Sequence, residues 1–165
     1  MTSGAQPPDA APAIRVRPAR AEDEELILAL VPRFVEHGAA DGHTPEEVID
    51  GTRRVLRDAL HARRDGELIV IAEDESGERA GFAYVVTERD FFTGEPYAHV
   101  SEIATARSGR GAGTRLMEAA EAWARERGFR FVTLNVVEEN RAAQRFYDRH
   151  GYAPGHRHLV KRLTR

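Results

Sequence analysis

Between Tyr97 and Trp123 the chain changes its period, and this change limits the folds open to it more than any other feature. From Tyr97 to Thr105 apolar and polar residues alternate as in a half-buried strand. From Leu116 onward the apolar residues Leu116, Ala119, Ala120 and Trp123 recur at helical spacing, and Gly128 follows as a stop. The hinge is Ser108-Gly109-Arg110-Gly111-Ala112-Gly113-Thr114-Arg115-Leu116. A strand that runs through glycines directly into a helix turns its backbone N–H groups toward one point, and an anion fits there. No Gly-Lys-Ser/Thr follows, so this is not a nucleotide phosphate loop, and the full spacing of a dinucleotide fingerprint is absent. A tight turn without a ligand is the other reading of such a run.

The remaining segments place this unit in a single sheet. Ile14 and Val16 alternate with Arg15 and Arg17 up to Pro18, as in an edge or starting strand. Glu22, Asp23, Glu24 and Glu25 precede Leu26, Ile27, Leu30, Val31, Phe34 and Val35, as in a helix with carboxylates at its positive end, and Pro32 interrupts it. Thr44-Pro45-Glu46-Glu47 is a capping box that opens a helix with a buried stripe at Val48, Val55, Leu56, Ala59 and Leu60. Leu68 to Ala72 and Ala80 to Thr87 read as an antiparallel hairpin around Glu75 to Glu78. Phe131 to Val137 reads as a strand, Asn140 to His150 as a helix stopped by Gly151, and Leu159 to Leu163 as a last strand. The order β-α-α-β-β-β-α-β-α-β predicts an α/β (mixed α+β) fold, with a mixed, mostly antiparallel sheet flanked by helices in one domain over 14–165. The Ala- and Pro-rich stretch 1–13 has nothing to bury and reads as a disordered tail.

Composition removes several functions. With no cysteine there is no disulfide, no thiolate metal site and no cysteine acyl-enzyme. A net charge of -3 lacks the basic field that binding to a phosphate backbone requires, so nucleic acid is not an expected partner. No apolar run approaches the roughly 20 residues of a membrane span, and the first residues lack the basic start and apolar middle of a signal peptide. No membrane partner and a cytoplasmic location are therefore expected. His37 and His43 do not form a recognised metal-ligand spacing and read as a solvated loop, so no metal is expected.

A second constellation runs from Leu134 to Tyr152. Asn140 and Tyr147 are seven positions apart and share one helix face. A capping asparagine and a core-edge tyrosine account for either residue taken alone. Taken with the glycine turn, the residues resemble the GNAT superfamily of acyl-CoA N-acyltransferases. Gly111 and Gly113 fill the small positions of that family's Gln/Arg-x-x-Gly-x-Gly/Ala motif. Asn140, Ala143, Tyr147, Gly151 and Tyr152 fill its Asn-x-x-Ala-x-x-x-Tyr and Gly-Phe/Tyr positions. Ser108 stands where the leading Gln/Arg belongs, which leaves Arg107 or Arg110 to supply the cation.

The resemblance implies a GNAT-like fold, acetyl-CoA as cosubstrate, and transfer of the acetyl group to an amine of a small molecule or protein by direct attack in a ternary complex. It implies coenzyme contacts from Ile103, Ala104 and Thr105, from Ser108, Gly109, Arg110, Gly111, Ala112, Gly113 and Thr114, and from Asn140, Ala143 and Tyr147. Tyr147 is the implied acid for the leaving thiolate. Glu102, the only carboxylate from Tyr97 to Thr105, is the implied base, expected on one strand face with Val100 and Ala104. A non-catalytic acyl-CoA-binding module of the same fold is the alternative, and both monomer and homodimer are open.

Overall fold

The sheet of the computed structural model, which describes residues 13–39, 42–156, 158–161 and 163, is laid down in chain order. Strands β1 (Arg15–Pro18), β2 (Glu67–Glu73), β3 (Arg79–Arg89) and β4 (Pro96–Thr105) are antiparallel neighbours, and β5 (Val132–Leu134) lies parallel to β4. A parallel neighbour requires a crossover, and helix α3 (Ala112–Glu126) supplies it. Helices α1 (Glu24–Leu30) and α2 (Pro45–Ala62) cover one face, while α3 and α4 (Arg141–Arg149) cover the other.

Each face has its own core. Ile27, Leu30, Val31, Leu56 and Leu60 pack on Phe82, Tyr84 and Ala104 on the first face. Met117, Ala120 and Trp123 pack on Val85, Ala98 and Val100 on the second. Burial of one such large side chain is worth about 1.5 to 3 kcal/mol, so the two layers together hold the sheet between its helices.

Local signals account for most of the boundaries. Thr44 caps α2 by accepting from the Glu47 N–H, and Glu47 bonds back to the Thr44 N–H. Pro32 cannot donate to the preceding turn, so α1 stops at Leu30 and the chain tightens into a 3-10 turn over Val31–Val35. Three expectations need correction. Val55 is 49% exposed, because Leu56, Ala59, Leu60 and the packed Ile49 define a helix face that excludes it. The strand expected over Phe131 to Val137 is paired only at Val132–Leu134, after which the chain leaves the sheet. The described residues of the last expected strand, 158–161 and 163, are in no strand, and Leu159 and Leu163 are exposed. Alternation is a local pattern, whereas a strand needs a partner edge, and three-residue β5 presents a short one. The proposed tail lies outside the described residues apart from Ala13. Among the described residues no helix is long and apolar enough to cross a membrane.

Candidate active site

The early departure of β5 opens the sheet. β4 pairs with β5 only at Ala98, His99 and Val100, so from Ser101 to Thr105 one edge of β4 has no strand partner among the described residues. A β-bulge sits at the opening. On β3, Tyr84 opposes Glu102 and Val85 opposes Val100, which leaves Ser101 as the extra residue. The bulge reverses which residues share a face. Val100 packs with Ala98 and Met117 on the α3 side, whereas Ala104 packs with Phe82 and Tyr84 on the α1 and α2 side. Glu102, opposite Tyr84, therefore faces with Ala104 and away from Val100, which corrects the simple alternation read from the sequence.

Glu102 is half-buried in this opening and has no hydrogen bond or ion pair among the described residues. Burial disfavours the charged form and pushes its carboxyl up to about 7. Arg33, from the 3-10 turn after α1, donates to the carbonyl oxygens of Thr105 and Ala106 and closes the end of β4. Its neighbours Phe34, Glu36 and His37 line the same opening.

Beyond β4 the glycine turn feeds α3. Gly111 is the N-cap at φ 80°, a left-handed conformation that a side chain would strain, and no atom lies within 4 Å of where its Cβ would be. Arg115 N–H is the first to bond back within the helix, to Gly111 O, so the N–H groups of residues 112–114 have no helical acceptor. Gly113 is small for a different reason. A Cβ there would lie 3.2 Å from Cζ of Phe146, so the glycine lets α4 pack against the first turn of α3. Gly113→Val is accordingly expected to push the helices apart and cost about 1 to 3 kcal/mol, the usual range for overpacking. Chemical denaturation of the variant checks this, and parental stability would show that Phe146 moves aside freely.

Helix α4 carries the second constellation. Asn140 is its N-cap and accepts from the Ala143 N–H at 3.0 Å. Tyr147 is half-buried, edge-on to Phe146 and Tyr152 with ring centroids 5.3 and 6.0 Å away. Burial pushes its phenol up to about 12, so it keeps its proton at neutral pH.

These parts enclose one cavity of about 850 Å³. Glu102, Ile103, Ala104, Thr105, Asn140, Ala143, Tyr147 and every residue from Ser108 to Thr114 line it, so the structure brings together the implied catalytic and coenzyme-contacting residues, while Gly151 and Tyr152 of the second motif do not line it. Arg107, one of the two candidate cations, is there as well, and the structure adds Arg33, Phe34, Glu36 and His37 from the turn after α1 and Arg145 and Arg149 from α4. Arg145 and Arg149 were legible as an i, i+4 pair on α4. Nothing local marked Arg33, whose place depends on the turn imposed by Pro32. His43 is not at the cavity and lies 3.7 Å from Glu47. Among the described residues no group of side chains could hold a metal ion.

By sequence alone no curated protein matches. By structure the chain resembles an aminoglycoside N-acetyltransferase solved in complex with CoA, with a TM-score of 0.67 and 19% identity over 94% of this chain and 97% of that one. An aminoglycoside antibiotic 6'-N-acetyltransferase from Acinetobacter baumannii gives a TM-score of 0.69 and 14% identity over 92% and 99%. Glucosamine-6-phosphate N-acetyltransferase from Arabidopsis thaliana gives 0.64 and 19% over 92% and 99%. At these identities the likeness is one of fold. A model of the Acetyltransferase (GNAT) family matches residues 34–152, a span that holds β2 to β5, the glycine turn and α4. With most of its length inside that match, the chain belongs to the GNAT acetyltransferase family and is an acyl-CoA N-acyltransferase of that type.

Proposed function

We propose that this protein transfers an acetyl group from acetyl-CoA to a primary amine by direct attack within a ternary complex. The observation that carries this reading is the opened sheet. It places a half-buried carboxylate, without a partner among the described residues, on the α1 and α2 face and a half-buried phenol on the α3 and α4 face of the same cavity. The amine adds to one face of the trigonal thioester carbon and the thiolate leaves from the tetrahedral intermediate, so the reaction needs a proton acceptor near the nitrogen and a donor near the sulfur, and the cavity offers one on each of two walls.

The cavity suits the coenzyme by charge and shape. Free N–H groups at the start of α3, open space over Gly111, and Arg107, Arg110, Arg145 and Arg149 suit its phosphates. The unpaired edge of β4 suits its extended amide arm. Asn140 contributes by holding α4 in register through its Oδ1, which accepts from the Ala143 N–H, and its amide NH2 stays available as a donor at the cavity.

Glu102, near 7, takes the proton that the attacking ammonium must lose, directly or through one water. Backbone N–H groups from Ile103 to Thr105 stabilise negative charge on the carbonyl oxygen. Tyr147 donates to the sulfur as the carbon–sulfur bond breaks. A phenol near 12 gives its proton to a thiolate of reference value near 8.5 against a gradient of roughly three orders of magnitude. Its larger contribution is thus the hydrogen bond to sulfur, and the departing thiolate takes its proton from solvent. The acceptor would meet Phe34, Glu36 and His37 on the α1 side.

Acetyl-CoA binding by calorimetry, followed by thiol release across a panel of amines, tests the reading. Binding without release from any amine supports a binding module instead. Tyr147→Phe is expected to lower turnover by about ten- to a hundredfold with acetyl-CoA affinity and Tm near the parent. Parental turnover where chemistry limits the rate would remove Tyr147 from the mechanism. A fall in Tm typical of a core truncation would mark it as structural.

A further inference from the structure

His150 lies outside the cavity, behind its wall, and touches two of the elements that form it. At the C-terminus of α4 its Nδ1 is 2.7 Å from the Phe146 carbonyl oxygen, and its Nε2 is 3.1 Å from Oγ1 of Thr114, which lines the cavity in the first turn of α3. The ring also packs against Phe146 at a tilt of 40°, centroids 4.2 Å apart, and Phe146 is the ring that Gly113 accommodates. A carbonyl can only accept, so Nδ1 carries a hydrogen in either charge state. The state of Nε2 then decides what Thr114 can offer. Beside a neutral ring the Thr114 hydroxyl donates to Nε2 and presents only lone pairs to the cavity. Beside a protonated ring Nε2–H donates to Oγ1, and the hydroxyl hydrogen is released to point at an anion.

We propose that His150 is a positioning residue that couples a proton to coenzyme binding: protonated, it turns the Thr114 hydroxyl into a donor for a coenzyme phosphate. This rests on reading the cavity as a CoA site. Charged groups on the surrounding elements are engaged elsewhere or exposed. On α3, Glu118 pairs with Arg115 at 2.6 Å, and Glu121 pairs with Arg125 at 2.7 Å while accepting from the Tyr152 hydroxyl at 3.3 Å. On α4, Arg145, Asp148 and Arg149 are exposed. Among the described residues no carboxylate bonds to the ring.

The test is calorimetric titration with CoA at pH 6 and pH 8, in buffers of different ionisation enthalpy so that protons taken up are counted. The parent is compared with His150→Gln, His150→Asn and Thr114→Val. The glutamine amide can reach Thr114 and donate at every pH, whereas asparagine can keep the bond to the Phe146 carbonyl but falls short of Thr114. A phosphate monoester titrates near pH 6 in all four proteins, so the signal is the difference between them. Relative to His150→Gln, the parent is expected to take up additional proton on binding and to lose about fivefold more affinity between pH 6 and pH 8. His150→Asn and Thr114→Val are expected to bind about fivefold more weakly than the parent at pH 6 and to show no such uptake. Equal proton uptake and equal pH dependence in all four proteins would overturn the proposal, as would variants that change Tm alone. A parent that does not bind CoA would overturn the cofactor reading, and this inference with it.

Discussion

Glu102→Gln is expected to lower turnover by about 10²-fold or more above pH 7 while making the folded protein more stable there. Both effects come from one fact, the burial of a carboxyl that has no partner among the described residues. Its ordinary value of 4.5 is raised to about 7 by burial alone. A folded state that prefers the protonated form has its full stability below about 4.5 and loses some as the pH rises through about 7. At pH 8 the ionised group costs the fold on the order of 1 to 3 kcal/mol, reduced from the full shift because the side chain is partly open to solvent. Glutamine keeps the shape without the charge, so the urea midpoint at pH 8 should rise while that at pH 4 changes little. The rate follows the opposite course. A base must be ionised, so kcat/KM in the parent should climb through a limb near 7, below the separate limb of the amine at its reference value near 10.4. The variant should lack the first limb and keep the second. A variant with the limb near 7 intact would assign the base to another group, and one that is less stable at pH 8 would show that Glu102 is held by partners.

The second large effect is on stability and lies far from the cavity. Asp23 is fully buried, and Arg17 reaches it through two hydrogen bonds of 2.8 and 3.0 Å. The Arg20 N–H adds 2.8 Å and Arg79 adds 3.4 Å. Arg17 continues to Glu73 at 2.7 Å, and Arg15 also pairs with Glu73, so three arginines and two buried carboxylates tie β1, the turn before α1, β2 and β3 together. Asp23→Ala removes the buried centre and leaves the partly buried Arg17 with Glu73 alone, which costs about 3 kcal/mol, the low end for breaking a buried pair. For a domain of this size that lowers Tm by roughly 10 °C. The pH dependence has a definite sign. Burial opposes ionisation of Asp23, but the hydrogen bonds from Arg17 and the Arg20 N–H, with the nearby charges, outweigh it and hold the carboxyl below its ordinary 3.8. The stabilisation is present above that value and is lost as the pH falls through the lower folded one. Denaturation curves should therefore show a wide gap between parent and Asp23→Ala at pH 7 and a narrower one near pH 3. Equal stability at pH 7 would mean that Glu73 alone satisfies Arg17.

Neither effect follows from reading the chain residue by residue. Asp23 stands in a run of four acidic residues at the start of a helix, where the dipole is reason enough for a carboxylate. The structure uses these residues differently: Asp23 is buried against arginines, and Glu24 pairs with Arg57 and His61 of α2. The partners lie as far as 56 positions away, and no local rule selects among them.

What the sequence determined by itself are the features whose causes span a few residues. Thr44 caps α2 and Asn140 caps α4 because each bonds to an N–H three residues on, and Gly111 turns the chain because a side chain is strained at its φ. Those signals, with the change of period after Thr105, were enough for the order of elements through α4, and the resemblance carried by the glycine turn and the Asn140–Tyr147 motif named the part of the cavity lining that lies on β4, the turn and α4. Tertiary structure alone decided how those residues face each other. The bulge at Ser101 exists only in the pairing of β4 with β3, and it turns Glu102 away from Val100 and toward the α1 side. Gly113 is small for Phe146, and Thr114 is bonded to His150 across 36 positions. Each of these depends on where a distant segment packs, and close packing transmits that placement to the site although the local sequence does not encode it.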